Sequence, residues 1–185
     1  MTKKSKTLDM AYIAMFAVIM AVCSWISIPT SIPFTLQTFG VFFTVALLGG
    51  RRGTLSILVY ILLGFVGVPV FAGFTGGPGI ILGTTGGYIV GFLFSALFMW
   101  AMEHLLGKKT WVLGISMVIG LLILYAFGTV WFMLVYAKTT GAIGIWTALG
   151  WCVFPYIIPD LIKIALAIVL CKRFSTSMVL KTEQG

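Results

Sequence analysis

An aspartate and a lysine one helical turn apart, Asp160 and Lys163, lie in a segment that is otherwise apolar enough to cross a lipid bilayer. Residues three apart share a face of an α-helix, so the two side chains can meet. A charge at the centre of a membrane costs about 2.5 to 3.5 kcal/mol on insertion scales, and such charges usually face a polar cavity or a partner. The pair therefore predicts a site that binds a polar ligand.

The same pair also permits a structural interpretation, in which an intramembrane ion pair fixes the last helix against its neighbours. The substitution Asp160→Asn separates the two hypotheses. At a structural pair it lowers protein yield and melting temperature, whereas at a ligand group it mainly abolishes binding. A further alternative makes Asp160 the proton carrier of a secondary transporter for a small organic solute, although the first three spans hold no counterpart of the pair, as an internal repeat would.

Composition indicates the elements that must position the pair. Apolar residues make up 61% of the 185 residues, charged residues make up 9%, and the mean hydropathy is +1.15, outside the range of soluble domains. Turn-forming or charged clusters divide the chain into six apolar stretches of roughly the length that a bilayer needs: residues 8–28, 32–49, 54–70, 86–106, 111–136 and 145–171. We predict an all-α integral membrane protein whose six transmembrane helices form one domain over residues 1–185, with an outward-facing ligand pocket closed by loops.

The basic residues predict the orientation in the membrane. Most of the 12 lysines and arginines fall on one side of the six predicted spans: Lys3, Lys4, Lys6, Arg51, Arg52, Lys108, Lys109, Lys172, Arg173 and Lys181. Because loops rich in Lys and Arg remain in the cytoplasm, both termini are predicted to be cytoplasmic. Basic clusters in these positions set topology and attract anionic membrane lipid, so the net charge of +8 does not indicate nucleic-acid binding.

Several kinds of chemistry are excluded by the residues present. Cys23, Cys152 and Cys171 show no paired spacing, and His104 is the single histidine, so neither a disulfide framework nor a histidine-based metal site is predicted. The nearest approach to a nucleotide-binding loop, residues 107–109, lacks the upstream glycine and the following Ser or Thr. We predict no metal, no cofactor and no ATP site in this chain. We also predict no enzyme activity, since no nucleophile stands with a base at one depth.

Two predicted outer loops have an unusual composition. Residues 66–87 are too rich in glycine for a regular span, and such backbone is tolerated at membrane depth only where it is buried in protein or lines a cavity. Because apolar side chains such as Phe71 and Phe74 are interleaved and favour burial, we interpret the segment as a lid over the pocket, with a plain flexible loop as the alternative. Residues 28–38, with two prolines, hydroxyls and an amide, close the opposite edge.

Three small residues form a stripe on the first helix. Ala14, Ala17 and Ala21 have the i, i+3, i+7 spacing that allows a second helix to approach closely in a membrane. The stripe predicts a docking surface for a partner helix, and packing against another helix of the same chain is an equally good interpretation.

Four ordered segments carry a resemblance to a known family: IPFTLQT at residues 32–38, GFVGVPVFA at 64–72, TTGGYIVGF at 84–92 and PDLIK at 159–163. Together, and across nearly the whole chain, they resemble the BioY family, the biotin-binding S components of energy-coupling factor (ECF) transporters. One departure is Gly83-Thr84-Thr85, where the family often has Gly-Pro-Thr, and this difference affects the local turn more than the function.

The resemblance implies a six-helix S component in the plasma membrane of a prokaryote. Such a protein binds biotin from outside and associates with a transmembrane coupling subunit and two ATPase subunits of an ECF module. In the mechanism proposed for these transporters, the S component topples in the membrane until its pocket faces the cytoplasm, driven by the ATPase cycle. The alanine stripe resembles the docking motif of the family.

Biotin combines a ureido ring, which has N–H donors and a carbonyl acceptor, with an apolar thiophane ring and an anionic valerate tail. We predict that Asp160 accepts from the ureido N–H groups, and that Lys163 donates to the ligand or holds Asp160 ionised. In the reverse orientation Lys163 pairs with the ligand carboxylate while Asp160 orients it, and both orientations stay open. The remaining predicted ligand-binding residues come from the loops and the helix that follows: Thr35, Gln37, Thr85, Gly86, Tyr88, Phe71 and Phe74.

Overall fold

Eight α-helices and one short pair of strands form the described part of the chain. In the computed structural model this part comprises residues 3–29 and 32–182. Thr30 and Ser31 of the first predicted outer loop lie outside it, as do the side chains of Lys3, Lys4 and Lys181, which contributed to the predicted orientation.

In chain order the elements are helix α1 (Lys3–Trp25), strands β1 (Ser27–Ile28) and β2 (Phe34–Thr35), helices α2 (Gln37–Leu48) and α3 (Gly50–Phe65), a 3₁₀ turn (Ala72–Phe74), and helices α4 (Pro78–Leu82), α5 (Gly86–Leu106), α6 (Thr110–Thr139), α7 (Ile145–Cys152) and α8 (Ile157–Thr182). The two strands are antiparallel and pair Ser27 with Thr35 and Ile28 with Phe34. They return the chain from the end of α1 to the start of α2.

Among the described residues, three helices are long and apolar enough to cross a membrane: Lys6–Trp25 within α1, α5 and α6. A fourth span results if α7 and α8 count as one bent pair. The helical membrane class is therefore confirmed. By contrast, α2 has 12 residues and α3 has 16, which is about 18 and 24 Å at 1.5 Å per residue, less than the ~30 Å hydrocarbon core. That the chain crosses the membrane six times stays a prediction.

The last apolar stretch is not one continuous helix, contrary to the prediction. Helices α7 and α8 are bent by 44° across residues 153–156. Pro155 lies in this break, and a proline ends a helix because it has no N–H and its ring clashes with the preceding turn. Pro159 lies in the first turn of α8, where the backbone N–H groups lack helical partners in any case. The break therefore places Asp160 and Lys163 within the first two turns of α8.

Helix α2 lies at the centre of the molecule, in contact with α1, α3, α5 and α8. Val41 and Phe42 have no exposed surface, and Val45 is 2% exposed. The turn into α3 passes through Gly49, whose φ of 81° favours glycine. At Gly50 an added Cβ would lie 2.5 Å from the Cα of Trp100, so glycine allows α3 to pack closely on α5.

The alanine stripe of α1 does not form one exposed face. Ala17 and Ala21 are 2% and 3% exposed and belong to the core of the chain, whereas Ala14 is exposed. For Ala17 and Ala21 the structure therefore favours packing within the same chain. Docking of a partner at Ala14 stays a prediction.

Candidate ligand-binding site

A cavity of about 270 Å³ lies beneath the loop that precedes α2, between the glycine-rich segment and helices α5, α6 and α8. Its volume is close to the lower end of the range of about 300 to 1,000 Å³ that is typical of small-molecule sites. Seven of the nine predicted ligand-binding residues line it together: Thr35, Gln37, Phe71, Thr85, Tyr88, Asp160 and Lys163. The structure thus brings most of the predicted residues to one cavity, and their contact with a ligand stays a prediction.

The charged pair forms the polar end of the cavity. Lys163 Nζ lies 2.8 Å from Asp160 Oδ1, and the two residues are 5% and 3% exposed. The same ammonium donates to the main-chain oxygen of Thr35 at 2.7 Å and lies 4.3 Å from the ring centre of Phe34, which adds a cation–π contact. Lys163 therefore joins α8 to the loop that covers the cavity.

Tyr125 of α6 is a part of this cluster that the sequence analysis missed. Its phenol group donates to Asp160 Oδ2 at 2.7 Å, and its ring lines the cavity. Each oxygen of the Asp160 carboxylate thus accepts one hydrogen bond and keeps acceptor capacity, while Lys163 keeps one of its three N–H donors. The only signal in the sequence was a tyrosine in an apolar span, which does not reveal the side of the helix.

A second polar group comes from the start of α2. The backbone N–H of Gln37 donates to Thr35 Oγ1 at 3.1 Å, and Gln37 Nε2 donates to Tyr60 Oη at 2.9 Å. Tyr60 in turn donates to the main-chain oxygen of Val70 at 3.1 Å. This chain of hydrogen bonds fixes Gln37 between α3 and the glycine-rich segment. Within the described residues the amide oxygen of Gln37 has no hydrogen-bond donor, so it can accept from a ligand.

Another wall of the cavity is formed by Thr85, which precedes α5, and by Tyr88 in the first turn of that helix. The hydroxyl groups of Tyr88 and Thr129 lie 3.0 Å apart and share a hydrogen bond. The Tyr88 ring packs directly on Gly128 of α6, where an added Cβ would lie 2.3 Å from Cε1. Gly86, which is one of the predicted ligand-binding residues, does not line the cavity. An added Cβ there would lie 1.7 Å from the main-chain oxygen of Ile81, so this glycine allows close packing on α4.

The two predicted lid aromatics lie in different places. Phe71 is 2% exposed, lines the cavity and packs edge-on against Tyr60, with ring centres 5.5 Å apart. Phe74 is 64% exposed and does not line the cavity, so nothing in this structure supports its predicted contact with the ligand. It stacks instead on Trp25 at 4.9 Å. Gly73 and Phe74 both have positive φ, so the backbone forms a tight turn at the point where the Phe74 ring meets Trp25.

The glycine-rich segment is ordered by contacts with α1 and α3. Trp25 Nε1 donates to the main-chain oxygen of Pro69 at 2.9 Å, and Ser24 Oγ donates to that of Val70 at 2.5 Å. Backbone hydrogen bonds join Phe71 and Thr75 in both directions. These contacts, together with the 3₁₀ turn and α4, favour the lid interpretation over a plain flexible loop.

The break between α7 and α8 also contributes to the cavity, which the sequence analysis did not foresee. Tyr156 donates through its hydroxyl to the main-chain oxygen of Ile32, and its ring stacks on Phe34 with centres 6.0 Å apart. Tyr156 and Cys152 both line the cavity. In the described part of the chain no group of three His, Cys, Asp or Glu side chains is arranged to hold a metal ion.

The sequence pattern of the BioY family matches residues 1–179 of this chain. The chain belongs to the BioY family. Among its relatives, the biotin transporter BioY of Thermotoga maritima is 38% identical over 159 residues, which cover 85% of this chain and 90% of that protein. The probable biotin transporter BioY of Pyrococcus horikoshii is 36% identical over 169 residues, which cover 91% and 96%. The predicted family is confirmed.

A solved structure shares the fold of this BioY chain. It is described as the S-component for biotin from an ECF-type ABC transporter, with a TM-score of 0.84, 25% sequence identity and coverage of 95% of each chain. Membership in a family of transporters also confirms that the chain is not an enzyme. With relatives in a bacterium and an archaeon and several apolar helices, it is a multi-pass membrane protein of prokaryotic type.

Proposed function

We propose that this chain is the biotin-binding S component of an ECF-type ABC importer. It captures extracellular biotin and delivers it inward by reorienting in the membrane together with an ATP-driven ECF module. The observation that carries the proposal is the buried cluster of Asp160, Lys163 and Tyr125 at one end of a small cavity. The class of ligand follows from the relatives of this chain that are named as biotin transporters.

The cluster fits the ureido ring better than the valerate carboxylate. Asp160 can still accept from ureido N–H groups, and Lys163 has one N–H left to donate to the ureido oxygen. A ligand carboxylate placed here would lie against the carboxylate of Asp160, and like charges at short distance repel. Of the two orientations, we therefore propose the one with the ureido ring at Asp160 and Lys163.

The rest of the cavity matches the remaining parts of biotin. Phe71, Ile89 and Phe92 offer apolar surface for the thiophane ring. The hydroxyl groups of Thr75 and Thr85, together with the free amide oxygen of Gln37, offer neutral polar contacts. In this assignment the described lining of the cavity carries no net charge, because Asp160 is its one acid and Lys163 its one base, and they neutralise each other.

The proposal includes partners that this chain needs for transport. A transmembrane coupling subunit and two ATPase subunits of an ECF module would supply the nucleotide chemistry, and the chain itself would need no cofactor. Both termini would be cytoplasmic, with the cavity opening to the outside. Exposed apolar residues on α1, such as Met15 and Val18, leave surface beside Ala14 for a coupling helix.

A binding titration tests the proposal. The purified chain in detergent is titrated with biotin, desthiobiotin and thiamine, and tryptophan fluorescence or heat is recorded without nucleotide. We expect tight binding of biotin and desthiobiotin, which share the ureido ring, and no binding of thiamine. Failure of folded protein to bind biotin would refute the proposal and favour transport coupled to protons through Asp160.

A further inference from the structure

A second large opening lies at the end of the molecule opposite the ligand cavity. It has a volume of about 570 Å³ and lies between the start of α1, the turn from α2 to α3 and the end of α5. Four cationic side chains and two carboxylates line it: Lys6, Arg51, Arg52, Lys108, Asp9 and Glu103. We refer to this opening as the basic cleft.

Both carboxylates of the basic cleft are already engaged. Asp9 Oδ1 lies 2.7 Å from Arg52 NH2. Glu103 Oε1 lies 3.2 Å from Lys108 Nζ, and Glu103 Oε2 accepts from the backbone N–H of Gly50 at 2.5 Å. Two cations are left over.

Lys6 and Arg51 are the unpaired cations. Both side chains are exposed, and neither has an ion-pair partner within the described ranges. The cleft therefore presents an excess of positive charge that no group of the described chain neutralises. An anion is the complementary occupant.

The remaining wall of the basic cleft is apolar and continues onto the sides of the helices. Met10, Leu55 and Trp100 line it and are 69%, 40% and 38% exposed. From Leu55 the exposed apolar surface continues along α3 through Leu58 and Leu62, at the three- and four-residue spacing of one helix face. The cleft thus joins a cationic end to a surface of the kind that contacts hydrocarbon chains.

We propose that the basic cleft binds the headgroup of an anionic phospholipid, with the phosphate between Lys6 and Arg51 and an acyl chain along the exposed face of α3. A free phosphate ion would use the cations but leave the apolar wall without a partner. The lipid uses both, and Lys and Arg next to a membrane are attracted to anionic headgroups. The proposed cytoplasmic position of the termini would place the cleft in the cytoplasmic leaflet.

The test is a lipid titration that requires neither biotin nor the ECF module. The purified full chain in a neutral detergent is titrated with phosphatidylglycerol or with phosphatidylcholine of the same acyl chains, and bound lipid is measured by native mass spectrometry. Inorganic phosphate is titrated in a third series as a competitor. The variant Lys6→Gln/Arg51→Gln is compared with Lys138→Gln/Arg173→Gln, which removes the same charge at residues outside the cleft.

We expect the natural chain to prefer phosphatidylglycerol, and the variant in the cleft to bind it about tenfold more weakly. The control variant should retain the preference. Equal loss in both variants would show an effect of net charge alone and overturn the proposal, as would equal binding of the two lipids. Full competition by millimolar inorganic phosphate would instead identify a site for the free ion. Circular dichroism and thermal melting establish that each variant is folded. If Lys6→Gln/Arg51→Gln unfolds, the single variant Arg51→Gln is tested in its place.

Discussion

Tyr125 of α6 donates a hydrogen bond of 2.7 Å to Oδ2 of Asp160 on α8, and thereby fixes the carboxylate from the side opposite Lys163. The carboxylate of Asp160 is consequently oriented by side chains from two helices, α6 and α8. Lys163 in turn donates to the main-chain oxygen of Thr35 in β2, just before α2. The geometry of the polar end of the cavity thus depends on three separate parts of the chain.

The first prediction concerns Tyr125→Phe. This change removes the hydrogen bond to Asp160 but keeps the ring, and a hydrogen bond to a charged group contributes about 1.5 to 3 kcal/mol. We expect the dissociation constant for biotin to rise at least about tenfold, measured by isothermal titration calorimetry. Tyr136→Phe, on the same helix but outside the cavity, is the control and should bind normally. Unchanged affinity of Tyr125→Phe would show that Asp160 needs no support from α6.

The second prediction separates the ligand role of the charged pair from its structural role. Asp160→Asn leaves the ammonium of Lys163 buried without its carboxylate, and breaking a buried pair in this way costs about 3 to 5 kcal/mol. We therefore expect both a lower melting temperature and loss of biotin binding. Replacing both charges, as in Asp160→Asn/Lys163→Met, should restore most of the melting temperature, because apolar replacement of a buried pair is often neutral or stabilising.

Biotin binding should stay lost in that double variant. Thermal unfolding and a binding titration on the same preparations give the two quantities independently. Recovery of binding together with stability would mean that the pair only supports the fold, and the ligand contacts would then have to be sought elsewhere in the cavity.

The third prediction uses two glycines of α6. An alanine at Gly128 would overlap the ring of Tyr88, since Cβ would lie 2.3 Å from Cε1, and Tyr88 lines the cavity. At Gly114 the nearest atom is 3.6 Å from the added Cβ, an ordinary contact. We expect Gly128→Ala to weaken biotin binding at least tenfold, whereas Gly114→Ala should bind normally and melt at the same or a slightly higher temperature. Equal behaviour of the two variants would exclude Tyr88 as a wall of the site.

The fourth prediction concerns the attachment of the glycine-rich segment to Trp25. The indole donates to Pro69 and stacks on Phe74, whose φ is 57°. Because Phe71 and Thr75 of the same segment line the cavity, we expect Trp25→Leu to speed biotin dissociation several-fold, measured by stopped-flow displacement. Trp25→Phe keeps an aromatic ring but no N–H and should give an intermediate rate. A dissociation rate that does not respond to either change would show that the segment does not retain the ligand.

The sequence predicted the charged pair and the helices around it because each depends on local information. Asp160 and Lys163 are three residues apart and stand in an apolar stretch, and α5 begins and ends where its apolar stretch does. The same reasoning missed Tyr125, which meets Asp160 only through the packing of α6 on α8. Which side of an apolar helix faces a cavity is not encoded in a stretch that is apolar on all sides.

Two of the predicted ligand-binding residues, Phe74 and Gly86, lie outside the cavity for local physical reasons. Phe74 was expected to cover the ligand because of its type, but positive φ at Gly73 and Phe74 directs the ring to Trp25. Gly86 was expected to approach the ligand, whereas its missing side chain makes room for the main-chain oxygen of Ile81. Glycine in a sequence indicates close approach of some group without identifying it.

Helix α2 separates the ligand cavity, which Gln37 lines, from the clefts at the opposite end, which Leu48 lines. Helix α2 has 12 residues and is therefore about 18 Å long. Its residues Val41 and Phe42 are completely buried. Buried apolar side chains of α2 thus lie between the ligand cavity and the clefts at the opposite end, and an apolar interior disfavours the passage of ions. In the proposed function, an empty cavity would therefore not by itself connect the two sides of the membrane.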